Sequence, residues 1–329
     1  MIRQVVFILL LTAMVATMLD LSAGAQTPKS VPVPPAEIPL ARLKADAIVA
    51  VELWSGSVDS ADGVWIADRT AGTIVRIDAK NNTAGSPIVV GAEPCGSLVV
   101  AFESVWVPLC ADGTIARVDV KTAKITATLK TKGAGRDGRI ATGVGSVWAV
   151  TDRKGVLSRI DPATNMVVAE IYVAGGAEDV VFGDDSLWVT SEQGDLLTRV
   201  NPHNNEIVET FKVGSKPGRL TVGEGGVWTL NRGDGTVTRV DPATNKVVAT
   251  IAVGDIAAGG EIAAGLGSVW VSVAGAPIIR IDPRTNRAAQ RFTGNSGGAV
   301  LVAHGSLWVA AGPRVTWRLD PILVTAIRP

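Results

Sequence analysis

The stretch Lys216–Gly254, KPGRLTVGEGGVWTLNRGDGTVTRVDPATNKVVATIAVG, decides the fold. It holds four runs rich in Val, Thr, Ile and Leu: Leu220–Val222, Val227–Leu230, Thr236–Val240 and Val247–Val253. Turn-forming residues separate them at Gly223–Gly226, Asp234–Gly235 and Asp241–Asn245. β-Branched residues suit a pleated, half-buried surface, and Gly, Pro, Asn and Asp suit turns. The stretch therefore reads as four antiparallel strands in about 40 residues, a length typical of repeat units.

Trp228 marks the second of these strands, and the same Trp recurs. It stands at Trp65, Trp106, Trp148, Trp188, Trp228, Trp270 and Trp308, each preceded by Val or Leu. The intervals run from 38 to 42 residues. An Arg follows each Trp at Arg76, Arg117, Arg159, Arg199, Arg239, Arg280 and Arg318. Two residues later comes Asp78, Asp119, Asp161, Asn201, Asp241, Asp282 or Asp320, five of them before Pro. Four short strands repeated seven times predict an all-β, seven-bladed β-propeller of four-stranded antiparallel blades. The Trp reads as core between blades, and the Arg and Asp as strand-end pairing and turn formation.

A propeller must close its ring, and the seventh repeat has three clear strands. Ala47–Leu53 (AIVAVEL) resembles the fourth strand of the other repeats and is the preferred closing strand. Ile322–Ile327 is the other candidate. Closure by pairing of the chain's ends would remove an exposed sheet edge.

Outside the repeats, Arg3, the apolar run Val5–Met18 and Ala23-Gly24-Ala25 have the form of a secretory signal peptide over residues 1–25. Residues 26–46 are Pro-rich at their start and read as a linker, leaving 47–329 as the propeller domain. A periplasmic or secreted protein with no membrane span in its mature chain is expected. Export permits a disulfide. A hairpin turning at Phe102–Glu103 sets Cys95 opposite Cys110, within bonding reach. Thirty-one basic residues balance 31 acidic ones, so no electrostatic case exists for a nucleic-acid partner.

The motif V-W-V/T followed by R-[IV]-D-P-x-T-N-x-V-V-A-x-I-x-V-G, clearest in Arg159–Val173 and Arg239–Gly254, resembles the YVTN and streptogramin-lyase-like (virginiamycin B lyase-like) bacterial propellers. The resemblance covers about residues 47–329 and implies the fold. It also implies a possible metal-dependent lactone lyase that uses histidine and glutamate. Here there are two histidines, His203 in a third-to-fourth-strand turn and His304 in a first-to-second-strand turn. Both belong to the face opposite the starts of the first strands, so no catalytic or metal-binding residue is carried over.

The starts of the first strands surround one mouth of the central channel, here called the top. In ring order they hold Gly56, Ser97, Arg139, Asp179, Arg219, Glu261 and Ala299. Nearby top loops add Arg136, Asp137, Glu178 and Lys216, and the second-to-third-strand loops add Asp152, Arg153, Glu192, Asn231 and Arg232. Blades 6 and 7 are poor in such groups. Arg suits bidentate capture of carboxylate or phosphate. The sequence therefore points to a ligand site formed by Arg139, Asp179, Arg219, Glu261, Lys216, Asn231 and Arg232. The alternation of sign also fits a ring of ion pairs that satisfies itself.

These features favour an exported, non-enzymatic scaffold that binds a small ligand or protein segment, without a cofactor and as a monomer. A lyase or hydrolase at the same mouth is one alternative, with a divalent ion on Asp179 and Glu261 as its conceivable metal. A structural module of an envelope assembly is another.

Overall fold

A computed structural model describes residues 35–53, 57–131, 139–256 and 259–328. The expected signal peptide, Gly56, Arg136 and Asp137 lie outside the described residues. Seven antiparallel sheets form the blades of a β-propeller. Blade 5 is the opening stretch: Pro217–Gly223, Gly226–Asn231, Thr236–Asp241 and Lys246–Ala252. Its register pairs Thr221 with Trp228 and Trp228 with Arg239, and the other blades repeat this pattern. In blade 1 the fourth strand is split into Thr83–Ala84 and Ile88–Val89.

Second strands such as Ser104–Leu109 and Ser268–Val273 are buried along their whole length. Each is sandwiched by neighbours on both faces, which is why these strands read as unbroken apolar runs. The core is accordingly a set of clusters between blades. Trp148 of blade 3 packs with Val180, Leu187 and Val189 of blade 4. Trp228 of blade 5 packs with Val269, Val271 and Ile279 of blade 6.

The repeated Arg does more than the sequence reading assigned to it. In five blades its guanidinium lies over the blade's own Trp, 4.8–5.3 Å from the ring centroid. The same group reaches into the next blade. Arg199 donates to the Pro242 carbonyl at 2.7 Å and to Asn245 Oδ1 at 2.8 Å. Arg117, Arg159 and Arg239 do likewise with Asn165, Asn205 and Asn286. These Asn residues hold φ between 54° and 64°, a left-handed conformation that Asn tolerates well. One residue thus shapes the turn and accepts the neighbouring blade's guanidinium.

The last blade draws on both ends of the chain. Ala47–Val49 pairs antiparallel with Thr316–Arg318, and Arg318 donates to the Ala79 carbonyl and Asn82 Oδ1 of blade 1. Because this outer strand comes from the N-terminal side, blade 7 has no third-to-fourth-strand turn to offer Arg280 of blade 6. Arg280 bonds instead to Gln290 of its own blade at 2.6 Å. Gln290 in turn donates to the carbonyls of Val324 and Ile327. The segment Ile322–Ile327 is not a strand: a short helix spans Pro321–Ala326, capped by Asp320.

The linker expected over residues 26–46 must be shortened. Glu37–Pro39 adds a parallel fifth strand to blade 6, paired with Arg291–Thr293. Ile38, Leu40 and Leu43 are buried with Phe292, Ile278 and Val324. The Pro-rich composition signalled extension, which is the conformation a sheet edge needs, and the alternating apolar residues supply its buried side.

Cys95 and Cys110 form a disulfide with a Cα–Cα distance of 5.8 Å. They are not directly opposite, as the simple hairpin register predicts. Val99 pairs with Trp106, but Pro94 pairs with Leu109, so the register slips between these pairs. Cys95 then faces Pro108, and its amide donates to that carbonyl. The diagonal remains short enough to bridge.

Candidate functional site

The first strands bring Arg139, Asp179 and Glu261 together at the inner end of the channel, with all three side chains buried. Arg139 Nη2 lies 3.5 Å from Glu261 Oε2, and its Nε lies 4.0 Å from Asp179 Oδ1. Blades 3 and 6 are not neighbours in the ring. The Arg139–Glu261 contact therefore crosses the channel. Asp179 also accepts backbone hydrogen bonds from Val180 at 2.9 Å and Leu220 at 3.2 Å. Three of the four alternating charges, Arg139, Asp179 and Glu261, thus form an ion-pair cluster at this level.

Burial raises the Asp179 pKa above its ordinary value; Arg139 and Arg219 pull against that shift, and Glu261 adds to it. Glu178, next in sequence, is raised for the same leading reason, with Arg153 and Arg232 opposing. Removal from water disfavours the ionised carboxylate, and nearby guanidinium groups recover only part of the loss.

A second group of charges lies above the first. Glu178 and Glu192 share Arg153 and Arg232. The Arg232 contacts are 3.6 and 3.7 Å, outside hydrogen-bond range. Arg219 is close enough to both groups to influence Asp179 and Glu178.

Beside these groups the top face opens into a cavity of about 560 Å³. Arg219 and Arg232 contribute to its wall, and Glu52 is its carboxylate. Much of the remaining wall is backbone at Gly260, Gly297, Gly298 and Gly312. Blades 6 and 7, which the sequence marked as poor in functional groups, supply this side. Small residues leave the space that larger polar ones would fill.

Two predicted site residues are not part of this assembly. Asn231 is fully buried within blade 5. Its amide donates to Thr236 and Thr238, and its carbonyl accepts from Thr229. The position read as part of the second-to-third-strand loop is the last residue of the strand Gly226–Asn231, where three threonines satisfy the amide. Lys216 is exposed on the top loop, and its side chain lines neither the upper cavity nor the channel. Its amide donates to Asp195 Oδ1, and its carbonyl accepts from Arg232.

His203 lies on the bottom face, 3.0 Å from Asp185, and His304 lies in the bottom turn of blade 7. Among the described residues no three His, Cys, Asp or Glu side chains are grouped as metal ligands. The described residues therefore do not fit the metal that the lyase resemblance would bring. No described helix is long and apolar enough to cross a membrane.

A seven-bladed propeller with a charged bridge across its channel and a cavity on one face is the class that this fold and site define. Its fold is that of the streptogramin-lyase propellers. Virginiamycin B lyase from Staphylococcus aureus superposes with a TM-score of 0.67 at 18% identity, over 82% of this chain and 94% of that one. A catalytically inactive histidine-to-alanine variant of that enzyme, solved with quinupristin, gives 0.67 at 19% identity over 80% and 93%. The dihydro-haem d1 dehydrogenase NirN gives 0.59 at 18% identity, over 78% of this chain and 61% of that one. No protein-family profile and no curated protein sequence matches the chain.

Proposed function

We propose that this protein is an exported binding propeller whose top-face cavity takes a small anionic ligand, a carboxylate or a phosphate. One observation carries this reading: Arg219 and Arg232 stand on a cavity of about 560 Å³ with much of its opposing wall made of glycine backbone. Two guanidinium groups provide planar, bidentate donors, and glycine lets a ligand approach the main chain closely. The volume lies within the range of small-molecule sites. The weak contacts of Arg232 to Glu178 and Glu192 leave donors that an anion can engage. Export is supported by the signal-like N-terminus and by the disulfide, which is stable in an oxidising compartment.

The test is calorimetric titration and thermal shift with inorganic phosphate, citrate and a panel of small carboxylates. An anion that stabilises wild type should bind at least ten-fold more weakly to Arg219→Ala and Arg232→Ala variants with native circular dichroism. Equal binding by wild type and both variants would refute the site.

The fold likeness to lyases supports a second reading, an enzyme acting on a lactone at this mouth. The loss of activity in the histidine-to-alanine variant of the S. aureus enzyme weighs against it, because both histidines here lie on the opposite face. Chelator-sensitive turnover of quinupristin by the purified protein would establish that reading instead.

A further inference from the structure

The upper cavity carries a charged group that anion binding leaves unused. Its ionisable lining is Arg219 and Arg232 on one side and Glu52 on another. The two arginines belong to blade 5, one on its first strand and one just after its second. Glu52 belongs to the segment leading from the closing strand Ala47–Val49 to the first strand of blade 1, Val58–Ser60. In ring order blades 6 and 7 stand between them, and loops of these blades make the wall that joins the two ends.

Glu52 differs from the other carboxylates near this mouth. Glu178 and Glu192 hold Arg153 and Arg232, and Asp179 and Glu261 hold Arg139. Glu52 is half-buried, yet among the described residues it makes no ion pair and no hydrogen bond. A carboxylate drawn partly out of water without a partner is destabilising, and an incoming cation relieves it. The wall between the charged ends holds a second unsatisfied group. Ser296 Oγ is buried and has no hydrogen-bond partner among the described residues. A ligand that reaches from one end to the other therefore meets a polar atom on the way. Part of the same wall is bare main chain: a Cβ placed on Gly259 or Gly298 meets no atom within 4 Å.

The separation of the charges limits what can bridge them. Packed sheets stand about 10 Å apart, so two blade steps set the attachment points roughly 20 Å apart, and the reach of the side chains shortens this. A single α-amino acid carries its ammonium and carboxylate on one carbon and cannot span such a gap. An extended peptide advances about 3.3–3.6 Å per residue, so about three or four residues suffice.

Resting on the anion site proposed above, we infer that the upper cavity takes a short linear peptide with both ends free. Its carboxylate meets Arg219 and Arg232, and its ammonium meets Glu52. Its main chain lies along Ser296 and the glycine backbone of blades 6 and 7, where the lack of side chains permits close approach.

The test titrates the full-length protein calorimetrically with dialanine, trialanine, tetraalanine and pentaalanine. Alanine and the N-acetylated and C-amidated peptides serve as controls. At least one unblocked peptide should bind at least ten-fold more tightly than alanine and than either of its blocked forms. Glu52→Gln should weaken that peptide to the level of its acetylated form and leave the acetylated form unchanged. Gly312→Phe should lose all peptide binding. Gly312 lines the cavity with an ordinary φ, and a Cβ there meets only Val315 at 3.9 Å, so the ring has room to enter the cavity. Both variants should keep native circular dichroism, and Glu52→Gln should keep the wild-type response to phosphate and citrate. Equal binding of free and acetylated peptides, indifference to Glu52→Gln, or undiminished binding by folded Gly312→Phe overturns the inference. Anion binding without peptide binding also overturns it and leaves the anion site standing. Failure of the wild type to bind either removes both.

Discussion

Replacing Arg199 by Ala is expected to lower stability by about 3 kcal/mol. The side chain makes three kinds of contact at once: 5.0 Å over the Trp188 ring, 2.7 and 2.8 Å to Pro242 and Asn245 of the next blade, and 2.9 Å from its Nε to Ser186. A hydrogen bond to a charged group contributes about 1.5–3 kcal/mol, and a partly exposed cation–π contact about 0.5–1. The polar partners regain some water when the guanidinium goes, which keeps the total below the sum of the parts. For a chain of this size about 1 kcal/mol moves Tm by roughly 2 °C, so Tm should fall by about 6 °C. Differential scanning calorimetry measures it directly. Three companion variants dissect the cause. Arg199→Lys keeps the charge but loses the fork, and should recover less than half of the loss. Asn245→Gly keeps the left-handed turn but removes the acceptor. Asn245→Ala removes the acceptor and adds about 1 kcal/mol of backbone strain at φ 54°. A double-mutant cycle between Arg199→Ala and Asn245→Gly should give a coupling of about 1–2 kcal/mol. Full rescue by Lys, or additivity of the two changes, would show that the inter-blade reach of the guanidinium does not matter.

Other expectations rest on separate parts of the molecule. Removing the disulfide with Cys95→Ser and Cys110→Ser should cost about 3 kcal/mol, the loop-entropy value for a separation of 15 residues, read from denaturant midpoints. Ile38→Ala should cost about 3 kcal/mol, because its fully buried side chain anchors the added strand on blade 6; an unchanged melting curve would return that segment to the linker. Stability should also depend on pH with two opposing signs. Asp161 and Asp241 accept amide hydrogen bonds from Ala163 and Ala243, which hold their pKa values low. Their contribution is present above the ordinary value of 3.8 and is lost as pH falls through the folded value. Asp179 is shifted upward by burial, so its contribution is full below 3.8 and is lost as pH rises through the folded value. The difference in Tm between Asp179→Asn and wild type should therefore grow in the variant's favour from acid to neutral pH. A pH-independent difference would contradict this.

The parts of this protein that repeat were legible in the sequence. Trp228, Arg239 and the Asp241-Pro242 turn recur at fixed spacing because every blade meets the same neighbour, so blade number, strand order and face assignment follow from spacing. What spacing could not supply was contact between repeats. The Asn of each Asp-Pro-x-Thr-Asn turn reads locally as a turn residue, and its bond to the preceding blade's Arg becomes visible only when the blades are set side by side. The same limit governed the site. Arg139 and Glu261 read as first-strand starts, but their meeting across the channel depends on side-chain reach through the ring. Asn231 reads as a loop residue because the strand Gly226–Asn231 ends on it, one position before the loop begins. The upper cavity leaves no mark in the sequence for a simpler reason. Glycine and alanine in blades 6 and 7 carry no chemistry of their own, and sequence reading weighs side chains rather than the space they leave.

The seam in blade 7 bears on the order in which the molecule can be assembled. In six blades the four antiparallel strands are contiguous in sequence and can pair as soon as each repeat has emerged during synthesis, with Glu37–Pro39 added to blade 6 from far upstream. The seventh cannot, because Ala47–Val49 must wait for Thr316–Arg318, and Asn82 must wait for Arg318. Nearly the whole chain lies between these partners, so the entropy of joining them is met last, after the intervening blades have shortened the gap. Until then the sheet edge of the newest blade stays open at one end of a curved stack. The early strand at its other end is reserved for a partner that is made only after all the intervening blades.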